Sequence, residues 1–558
     1  DVPFRLLKRD SKLSVGDSEN LLIKGDNLEA LKALMPYYVG RVKCIYIDPP
    51  YNTGQESWQY NDNVNSPEIR RWLEQRTGVN ADDLTRHDKW LCMMYPRIKL
   101  LKELLTEDGV IFVSIDNNEI HHLRMLMDAI FGESSFVTVI HVQMSVVQGQ
   151  KVRAAKQGNM VKNGEYILVY SKNNSANIGL RPLYDPSAYD GHYSIFIEPL
   201  KNGEYKERSL PEMICENDAL FQALCSAGFA KVTGRGRSLS MNDIPNAYMA
   251  FPAFRDFIHK NADRIVRVHT MTELDDSEIP KGMVRGRTYT LKLEKREYLV
   301  GIDSKGVVKQ RFRLSDKVRK ADDYYNTYSV TNIRGDWWSG FYLDMGNINK
   351  EGDVQFLNGK KPLRLISQLI TFVTNSEDII LDSFAGSGTT GHAVLNVNKT
   401  DGGNRRFVLV EMEDQVAEKI TAKRLKNAIR SLHTKSNPNS SGFQFMRLDA
   451  TLFDAQGDIN EPVTWIDLAR YVFFTDTQRD MNEKKAKSPY VGSHSDTDYF
   501  LLFKERGKNT LTRETLATMK GTGAPLRVVY ADRCLVPEAI LEKTQTTFKQ
   551  IPYSLRLF

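Results

Sequence analysis

Between residues 20 and 170, short apolar runs alternate with longer amphipathic segments. The run Val42–Ile47 has the length and composition of a buried strand, whereas Lys89–Leu105 repeats apolar residues at the spacing of one helix face. The same patterns predict strands at Leu21–Ile23, Val110–Ile115 and Glu165–Tyr170, and helices at Asn27–Met35 and near Asn118–Phe131. Because strands alternate with helices, we predict an α/β fold with a mostly parallel, doubly wound sheet.

This alternation stops near Ser171 and returns near Lys361. The intervening sequence consists of short mixed segments rich in Gly, Arg and Tyr, which predict one inserted domain with more strand and loop than long helix. Residues Asn437–Gly442 have the composition of a linker. We therefore predict two halves of one α/β domain at 1–172 and 333–436, an inserted domain at 173–332 and an accessory domain at 443–558 without identifiable chemistry.

The positive charge of the chain is concentrated in the predicted insert. The 558 residues carry 76 Lys and Arg against 70 Asp and Glu, a net charge of +6. Residues 281–320 alone hold 13 basic and four acidic residues, an excess of nine. A charge run of this kind suits nucleic-acid phosphates, although it is also typical of a solvated face.

Cysteine and histidine spacing predicts neither disulfides nor a metal site. The five cysteines are an odd number without a Cys-x-x-Cys pair, which favours a reducing, cytoplasmic compartment. No apolar run approaches the roughly 18 residues of a membrane-spanning helix, and no signal peptide is evident. His121 and His122 lack Cys or carboxylate partners at metal-ligand spacing, so we expect no metal.

The tetrapeptide Asp48-Pro49-Pro50-Tyr51 directly follows the apolar run Val42–Ile47. Two consecutive prolines fix φ near −65° and remove backbone donors, so carbonyls at this turn stay outside a sheet ladder. A carboxylate, a carbonyl and an aromatic ring together suit an amino group on an aromatic base. The structural alternative is a Pro-Pro turn that merely ends a strand.

A glycine-rich loop, Asp382–Gly391, follows a second predicted strand at Asp378–Leu381. Glycines let the backbone approach a ligand, and the helix predicted from His392 would present free N–H groups. The spacing matches neither the dinucleotide fingerprint nor a Walker loop. The next strand ends in Glu411, where Rossmann-like sheets hold ribose hydroxyls. A simple tight turn remains the alternative.

Together, Asp48-Pro49-Pro50-Tyr51 and Phe384-x-Gly386-x-Gly388 resemble the S-adenosylmethionine-dependent amino-methyltransferases of DNA. The order of the two motifs, with a long segment between them, resembles the β-type permutation of that family. The resemblance implies a circularly permuted class I methyltransferase fold with the target-recognition domain inserted between the two halves. It also implies that Asp48, Pro49, Pro50 and Tyr51 hold a flipped-out base, with adenine favoured over cytosine because the first position is Asp.

Cofactor and DNA contacts are likewise implied by this resemblance. S-adenosylmethionine would be held by Asp26, Asp48, Lys361, Asp382, Phe384, Gly386, Ser387, Gly388, Thr389 and Glu411. Structural alternatives exist for three of them: a helix N-cap at Asp26, a core position at Phe384 and a solvated side chain at Lys361. Double-stranded DNA would be contacted by Trp58, Tyr60, Arg235, Arg237, Arg285 and Arg287, although simple packing also suits Trp58 and Tyr60.

Within the family, the extension Asp48–Gly54, the large insert and the added C-terminal segment most resemble the modification subunit of type III restriction-modification systems. That resemblance implies a homodimer and a separate helicase-nuclease restriction subunit. The alternatives are a solitary or phage-borne methyltransferase, with adenine N6 or cytosine N4 as target, and a DNA-binding specificity module without activity. Methylation of protein glutamine, as in related Asn-Pro-Pro-Tyr enzymes, is disfavoured by Asp48.

Overall fold

The chain forms two compact units in the computed structural model. The first unit comprises Asp1–Arg181 with Asp336–Phe558, and the inserted unit comprises Pro182–Gly335. The structure describes residues 2–16, 18–53, 86–174, 178–201, 203–270, 282–293, 296–356, 359–432, 442–454, 458–479, 481–504 and 508–551.

A ten-stranded sheet forms the centre of the first unit. Neighbouring strands are parallel, except that the edge strand Arg5–Arg9 and the strand Gly164–Ser171 run antiparallel to their neighbours. From one edge to the other the strands are Arg5–Arg9, Gln444–Thr451, Leu21–Lys24, Arg406–Glu411, Ile379–Asp382, Val42–Ile47, Leu105–Ile115, Gly164–Ser171, Phe136–Gln143 and Trp337–Trp338. The predicted α/β, mostly parallel sheet is confirmed.

The strand Val42–Ile47 lies at the middle of this sheet, and all six of its residues are buried. Because successive side chains point to opposite faces, both faces of the sheet are covered there. Helices of the first unit before its C-terminal part include Asn27–Tyr38, Arg86–Leu104, Ile120–Phe131, Gln150–Lys156, Leu363–Val373, Thr389–Asp401 and Ala422–Leu432. Their apolar side chains join one core with the strands, including Leu31, Ile45 and Met94.

Two helix boundaries differ from those predicted. The first helix continues past Met35 through Pro36 to Tyr38, since the φ of proline is close to the helical value and only one backbone bond is lost. The helix after the glycine-rich loop begins at Thr389 rather than near His392. Its N-cap is Gly388 with φ +81°, a left-handed conformation that glycine adopts readily.

The inserted unit combines a closed six-stranded barrel with short helices. The barrel strands are Ile195–Pro199, Tyr205–Ser209, Ile265–His269, Arg287–Leu293, Arg296–Ile302 and Val308–Arg313. Four helices pack into a separate apolar cluster with Tyr248 and Phe254: Leu210–Glu216, Asp218–Ser226, Ile244–Ala250 and Pro252–Lys260. A hairpin, Ala230–Thr233 with Gly236–Leu239, and a small sheet of Tyr184–Pro186, Val318–Lys320 and Tyr328–Ile333 complete the unit.

The C-terminal part of the first unit contains its own four-stranded sheet. Its strands are Tyr490–His494, Thr497–Leu501, Leu526–Ala531 and Thr546–Gln550, with helices Trp465–Thr477, Arg513–Thr518 and Glu538–Lys543. The strand Gln444–Thr451, which falls within the predicted accessory domain, instead lies in the central sheet between Arg5–Arg9 and Leu21–Lys24. No helix within the described ranges is long and apolar enough to cross a membrane.

Candidate functional site

Four neighbouring parallel strands deliver polar residues to one edge of the central sheet, here called the carboxyl edge. Ile45 pairs with Leu381, and Asp382 pairs with Leu409, so Asp48, Asp382 and Glu411 follow each other across three strands. Lys24 pairs with Glu411 on the fourth strand, and the Gly25 amide donates to the Glu411 carbonyl at 3.0 Å. In open α/β sheets this edge is where ligands bind.

At the first of these strand ends, Asp48 belongs to a half-buried cluster of charged groups. Lys361 Nζ lies 3.2 Å from Asp48 Oδ1 and 2.9 Å from Glu165 Oε2. It also donates to the Tyr51 hydroxyl at 2.7 Å, and that hydroxyl donates to Glu165 Oε2 at 3.1 Å. One lysine therefore balances two carboxylates and fixes the aromatic ring beside them.

Burial dominates the electrostatics of this cluster. Burial raises the pKa of Asp48, the neighbouring Glu165 carboxylate adds to the rise, and Lys361 opposes it. For Glu165, burial is outweighed by Lys361, so its pKa lies below the ordinary value. The pKa of Lys361 is raised despite burial, because Asp48 and Glu165 favour its charged form. Lys361 therefore favours its charged form and opposes the rise in the pKa of Asp48.

The turn after Asp48 is held by contacts to two helices. Trp90, fully buried in the helix Arg86–Leu104, donates from its indole nitrogen to the Pro50 carbonyl at 2.7 Å. Asn52 adopts φ +56° and donates its side-chain amide to the Glu119 carboxylate. Both Asn52 and Glu119 are fully buried. The tetrapeptide is therefore fixed at its carbonyl end as well as by its prolines.

The glycine-rich loop is organised around Glu411. The Gly386 amide donates to Glu411 Oε2 at 2.7 Å, and the Glu413 amide donates to Oε1 at 2.9 Å. Burial raises the pKa of Glu411 to about 7 and that of Asp382 to about 7. A Cβ on Gly388 would lie 2.9 Å from Thr421 Cγ2, so the loop passes the next helix with no room for a side chain.

Behind the loop lies a buried arginine that the sequence patterns did not single out. Arg424 Nη1 donates to the hydroxyls of Ser387 at 3.0 Å and Thr389 at 2.8 Å. Its Nη2 forms an ion pair with Glu351 at 2.8 Å. The side chains of Ser387 and Thr389 are thus engaged by the helix Ala422–Leu432, which leaves their backbone as the part suited to contact a ligand.

Comparison with known proteins agrees with this arrangement. Residues 42–423 match the N6/N4 methyltransferase family, described as DNA methylase. The chain is 30% identical over 501 residues to the type III restriction-modification enzyme EcoPI Mod subunit of Escherichia phage P1, covering 82% of this chain and 69% of the relative. The chain belongs to the N6/N4 DNA methylase family. Its family resemblance, predicted from the two motifs, is confirmed.

Two further relatives show the spread of this DNA methylase family. The type III restriction-modification enzyme StyLTI Mod subunit of Salmonella typhimurium is 28% identical over 491 residues, which cover 84% of this chain and 62% of the relative. The type II methyltransferase M.KpnI of Klebsiella pneumoniae is 28% identical over 397 residues, covering 71% of this chain and 81% of the relative. The chain thus spans about three fifths of the StyLTI subunit's length.

The predicted cofactor residues occupy several different environments. Asp26 caps the helix Asn27–Tyr38 by accepting from Leu28 N at 2.9 Å, and its other oxygen lies 3.6 Å from Arg97. Asp382 accepts from the Phe384 amide at 2.9 Å and from the Thr390 hydroxyl at 2.5 Å. Asp26 and Asp382 therefore both stabilise the local backbone through these hydrogen bonds. Phe384 is partly buried against the main core.

The predicted DNA contacts divide into two kinds. Arg235 and Arg285 are exposed, and neither forms a side-chain hydrogen bond or ion pair with another residue that the structure describes. Arg237 instead pairs with Asp218 at 2.5 Å, and Arg287 pairs with Glu204 at 2.7 Å. Their guanidinium groups are partly engaged within the inserted unit. Trp58 and Tyr60 lie outside the described residues.

Sequence reasoning missed several residues that complete the site. Glu165 begins an apolar strand, and an acid in that position was the available signal. Trp90 and Arg424 gave no signal, because their partners are distant in sequence. Arg97 is fully buried and donates to Asn27 at 2.5 Å, and Asn27 in turn donates to the Ser383 carbonyl at 3.3 Å. These hydrogen bonds join the start of the first helix to the glycine-rich loop.

Proposed function

We propose that the chain is a sequence-specific DNA adenine-N6 methyltransferase that uses S-adenosylmethionine and flips its target base. The observation that carries this proposal is the half-buried Asp48 carboxylate, paired with Lys361, on a rigid turn at the carboxyl edge. The glycine-rich loop and Glu411 lie at the same edge. Membership of the DNA methylase family supports methyl transfer to an amino group.

The residues around the loop fit S-adenosylmethionine. Gly386 and Gly388 have φ of +49° and +81°, so their backbone can approach a ligand without a Cβ. A carboxylate offers about four acceptor positions, and backbone amides use two of those on Glu411, which leaves acceptors for ribose hydroxyls. Bound S-adenosylmethionine would supply an electrophilic methyl group. Phe384, the two glycines and Glu411 are the residues that would hold it.

Asp48 and Tyr51 would prepare the amino group for this reaction. An exocyclic amine is a poor nucleophile, because its lone pair is delocalised into the ring. An ionised Asp48 and the Pro49 carbonyl, accepting the two N–H groups, favour a tetrahedral nitrogen whose lone pair is available. Tyr51, whose hydroxyl is held by Lys361 and Glu165, would stack on the extruded base. Stacking of this kind contributes about 1–3 kcal/mol of binding free energy per base.

The decisive experiment measures transfer of labelled methyl from S-adenosylmethionine to DNA by the purified chain. We expect incorporation that yields N6-methyladenine on nucleoside analysis. Asp48→Asn, which keeps the size but not the charge, should reduce the rate by at least about 100-fold, as loss of one preorganised polar group does elsewhere. Asp449→Ala is the matched control. Asp449 lies on the strand Gln444–Thr451, beside the edge strand Arg5–Arg9, and its carboxylate lies 3.7 Å from Nζ of the exposed Lys8.

Three outcomes would contradict this proposal. If the wild-type chain binds DNA but transfers no methyl group to any sequence, the chain is a specificity module without activity. If the product is N4-methylcytosine, Asp48 does not select adenine. Equal rates for Asp48→Asn and Asp449→Ala would remove Asp48 from the reaction.

For target recognition, we propose that the inserted unit contacts double-stranded DNA through exposed arginines. Arg235, beside the Thr233–Gly236 turn, and Arg285 are exposed, unlike Arg237 and Arg287, which have acidic partners. Arg235→Ala and Arg285→Ala should each weaken DNA binding. The slope of log binding constant against log salt concentration should fall by about one for each phosphate contact that is lost. Arg287→Ala serves as the matched control. Unchanged slopes in both variants would exclude these arginines as phosphate contacts.

We further propose that the chain is the modification subunit of a type III system, acts as a homodimer and pairs with a restriction subunit. The alignment with two such Mod subunits over more than four fifths of this chain supports this assignment. The similarity to M.KpnI keeps a methyltransferase without a restriction subunit as the alternative. Light scattering should give twice the 63.8 kDa chain mass. A monomer that methylates DNA at full rate would exclude the dimer requirement.

A further inference from the structure

Two histidines and a glutamate meet directly behind the proposed catalytic turn. Glu119 Oε1 lies 2.6 Å from His87 Nδ1, and Glu119 Oε2 lies 2.9 Å from His122 Nδ1. The two imidazole rings stack with centroids 4.6 Å apart. One ligand atom from each of the three residues lies within 4.8 Å of the others. The prediction that His122 lacks a carboxylate partner is wrong, because Glu119 lies three residues before it and contacts its ring. His87 gave no signal, since it is far from the other two along the chain.

The buried carboxylate of Glu119 needs a compensating positive charge or several hydrogen-bond donors. Its side chain is 0% exposed, whereas the side chains of His87 and His122 are 36% and 38% exposed. A fully buried carboxylate is costly unless a cation or several donors compensate it. Among the residues that the structure describes, its side chain contacts the Asn52 amide and the imidazoles of His87 and His122. A divalent cation between the carboxylate and the imidazole nitrogens would compensate this buried charge.

The ligand chemistry selects the kind of cation. Two imidazole nitrogens and one carboxylate oxygen form a set that suits zinc and similar divalent transition metals, not calcium or magnesium. Bonds of about 2.0–2.2 Å place tetrahedral ligand atoms about 3.3–3.6 Å apart. The candidate ligand atoms of the three residues lie within 4.8 Å of one another, which is close enough for one ion to bind all three after a small adjustment of the side chains. The Asn52 amide would still donate to the ligating carboxylate, an arrangement that orients metal-bound carboxylates.

We propose that His87, Glu119 and His122 form a binding site for one zinc-class divalent ion per chain. The ion would join the starts of the helices Arg86–Leu104 and Ile120–Phe131 to the turn at Asn52. Because Asn52 directly follows Tyr51, the metal supports the position of the proposed catalytic turn without touching its substrate. This assignment needs only the cluster itself, so it holds whether or not the chain methylates DNA.

The test measures metal binding to the full chain without an affinity tag. The protein is treated with a chelator, desalted and titrated with Zn²⁺ in competition with a chromophoric chelator, and Co²⁺ is added separately as a spectroscopic probe. We expect one tight Zn²⁺ per chain, a Co²⁺ visible spectrum typical of four-coordination and a higher Tm with metal. His122→Gln and His87→Gln should each weaken Zn²⁺ binding at least 100-fold and abolish the Co²⁺ spectrum.

His121→Gln is the matched control, because His121 is an exposed neighbour outside the cluster. This variant should bind Zn²⁺ as the wild type does. The proposal is overturned if the wild type binds no stoichiometric Zn²⁺, or if His122→Gln and His121→Gln bind equally. His122 is partly exposed, so His122→Gln is expected to fold, and circular dichroism without metal verifies this. Zinc held by cysteines instead would persist in all three histidine variants.

Discussion

At the scale of single residues, one lysine determines the charge state of the proposed reaction centre. Lys361 is 9% exposed and contacts Asp48, Glu165 and the Tyr51 hydroxyl. Two carboxylates this close would otherwise raise each other's pKa, and burial would add to the effect. The predicted role of Lys361 near the cofactor carboxylate stays a prediction, but its contacts in the structure are with the tetrapeptide.

Two substitutions of Lys361, one that removes the charge and one that keeps it, should show how this charge affects the pKa of Asp48. In Lys361→Met, the pKa of Asp48 rises further, so less of it is ionised at neutral pH. Since ionised Asp48 is favoured as pH rises, the acid limb of the methyl-transfer rate should move to higher pH, with about a tenfold loss per unit below the new pKa. Lys361→Arg, which keeps the charge, should leave the limb near its wild-type position.

Stability provides a second measurement of the same substitution. Removal of one partner from a buried ion pair costs about 3–5 kcal/mol of unfolding free energy. Urea unfolding should show this loss in Lys361→Met but not in Lys399→Met, an exposed control near the end of the helix Thr389–Asp401. If Lys361→Met unfolds like the wild type and its pH profile is unchanged, Lys361 does not compensate Asp48.

At the scale of elements, the glycine-rich loop depends on the helix that packs behind it. Thr421 donates to the Gly386 carbonyl at 2.6 Å, while its methyl group occupies the space beside Gly388. Arg424, one turn later, holds the Ser387 and Thr389 hydroxyls. The loop conformation is therefore set by side chains from another helix as well as by its own glycines.

Gly388→Ala should show both constraints on this loop. The left-handed φ costs about 1–2 kcal/mol for any other residue, and crowding against the Thr421 methyl adds about 1–3 kcal/mol. Thr421→Ser removes that methyl group but keeps the hydroxyl bond. The double variant should therefore regain the part of the unfolding free energy that Gly388→Ala loses through crowding. In a double-mutant cycle this gain appears as a coupling energy of about 1 kcal/mol or more.

Gly402→Ala is the control for the backbone part alone. Gly402 has φ +73°, and a Cβ there would meet nothing within 4 Å. Its loss should be only the cost of the left-handed backbone, about 1–2 kcal/mol. If Gly388→Ala loses no more than Gly402→Ala, the Thr421 methyl does not restrict the loop.

Local patterns predicted the strands and the two motifs, because each depends on a few adjacent residues. Val42–Ile47 is apolar except for Lys43, and Pro49 and Pro50 follow after Asp48, so both signals lie within ten positions. His87 and Arg424 gave no comparable signal, since their roles arise from partners that only the fold brings close. Gln444–Thr451 was missed as a central strand because only its first two residues are fully buried and the rest are half-buried.

At the scale of the whole molecule, the central sheet is assembled from segments far apart in the chain. Val42–Ile47 pairs with Ile379–Asp382, and Leu21–Lys24 lies between Arg406–Glu411 and Gln444–Thr451. The N-terminal strands therefore need the C-terminal half to complete their hydrogen bonds. The inserted unit is different, since its barrel and helices have their own apolar clusters.

The two chain segments of the first unit that flank the insert both contact Phe372. The Arg181 amide donates to the Phe372 carbonyl at 2.8 Å, and the Trp338 ring meets the Phe372 ring edge-on at 6.0 Å. A flexible linker of about eight Gly and Ser residues spans roughly 15 Å, which suits two ends held at one residue. Residues 182–335 should therefore be replaceable without loss of the first unit.

We expect the chain with this linker in place of Pro182–Gly335 to unfold cooperatively and to bind S-adenosylmethionine within about threefold of the full chain by calorimetry. Its preference for one DNA sequence should disappear, since the proposed target-recognition unit Pro182–Gly335 is absent. The full chain carrying Arg235→Ala and Arg285→Ala is the matched control, because it retains the fold of the insert without these two guanidinium groups. If the linker variant fails to fold, the first unit depends on the insert for stability. If it folds and still selects one sequence, recognition lies in the first unit, where the sheet is assembled.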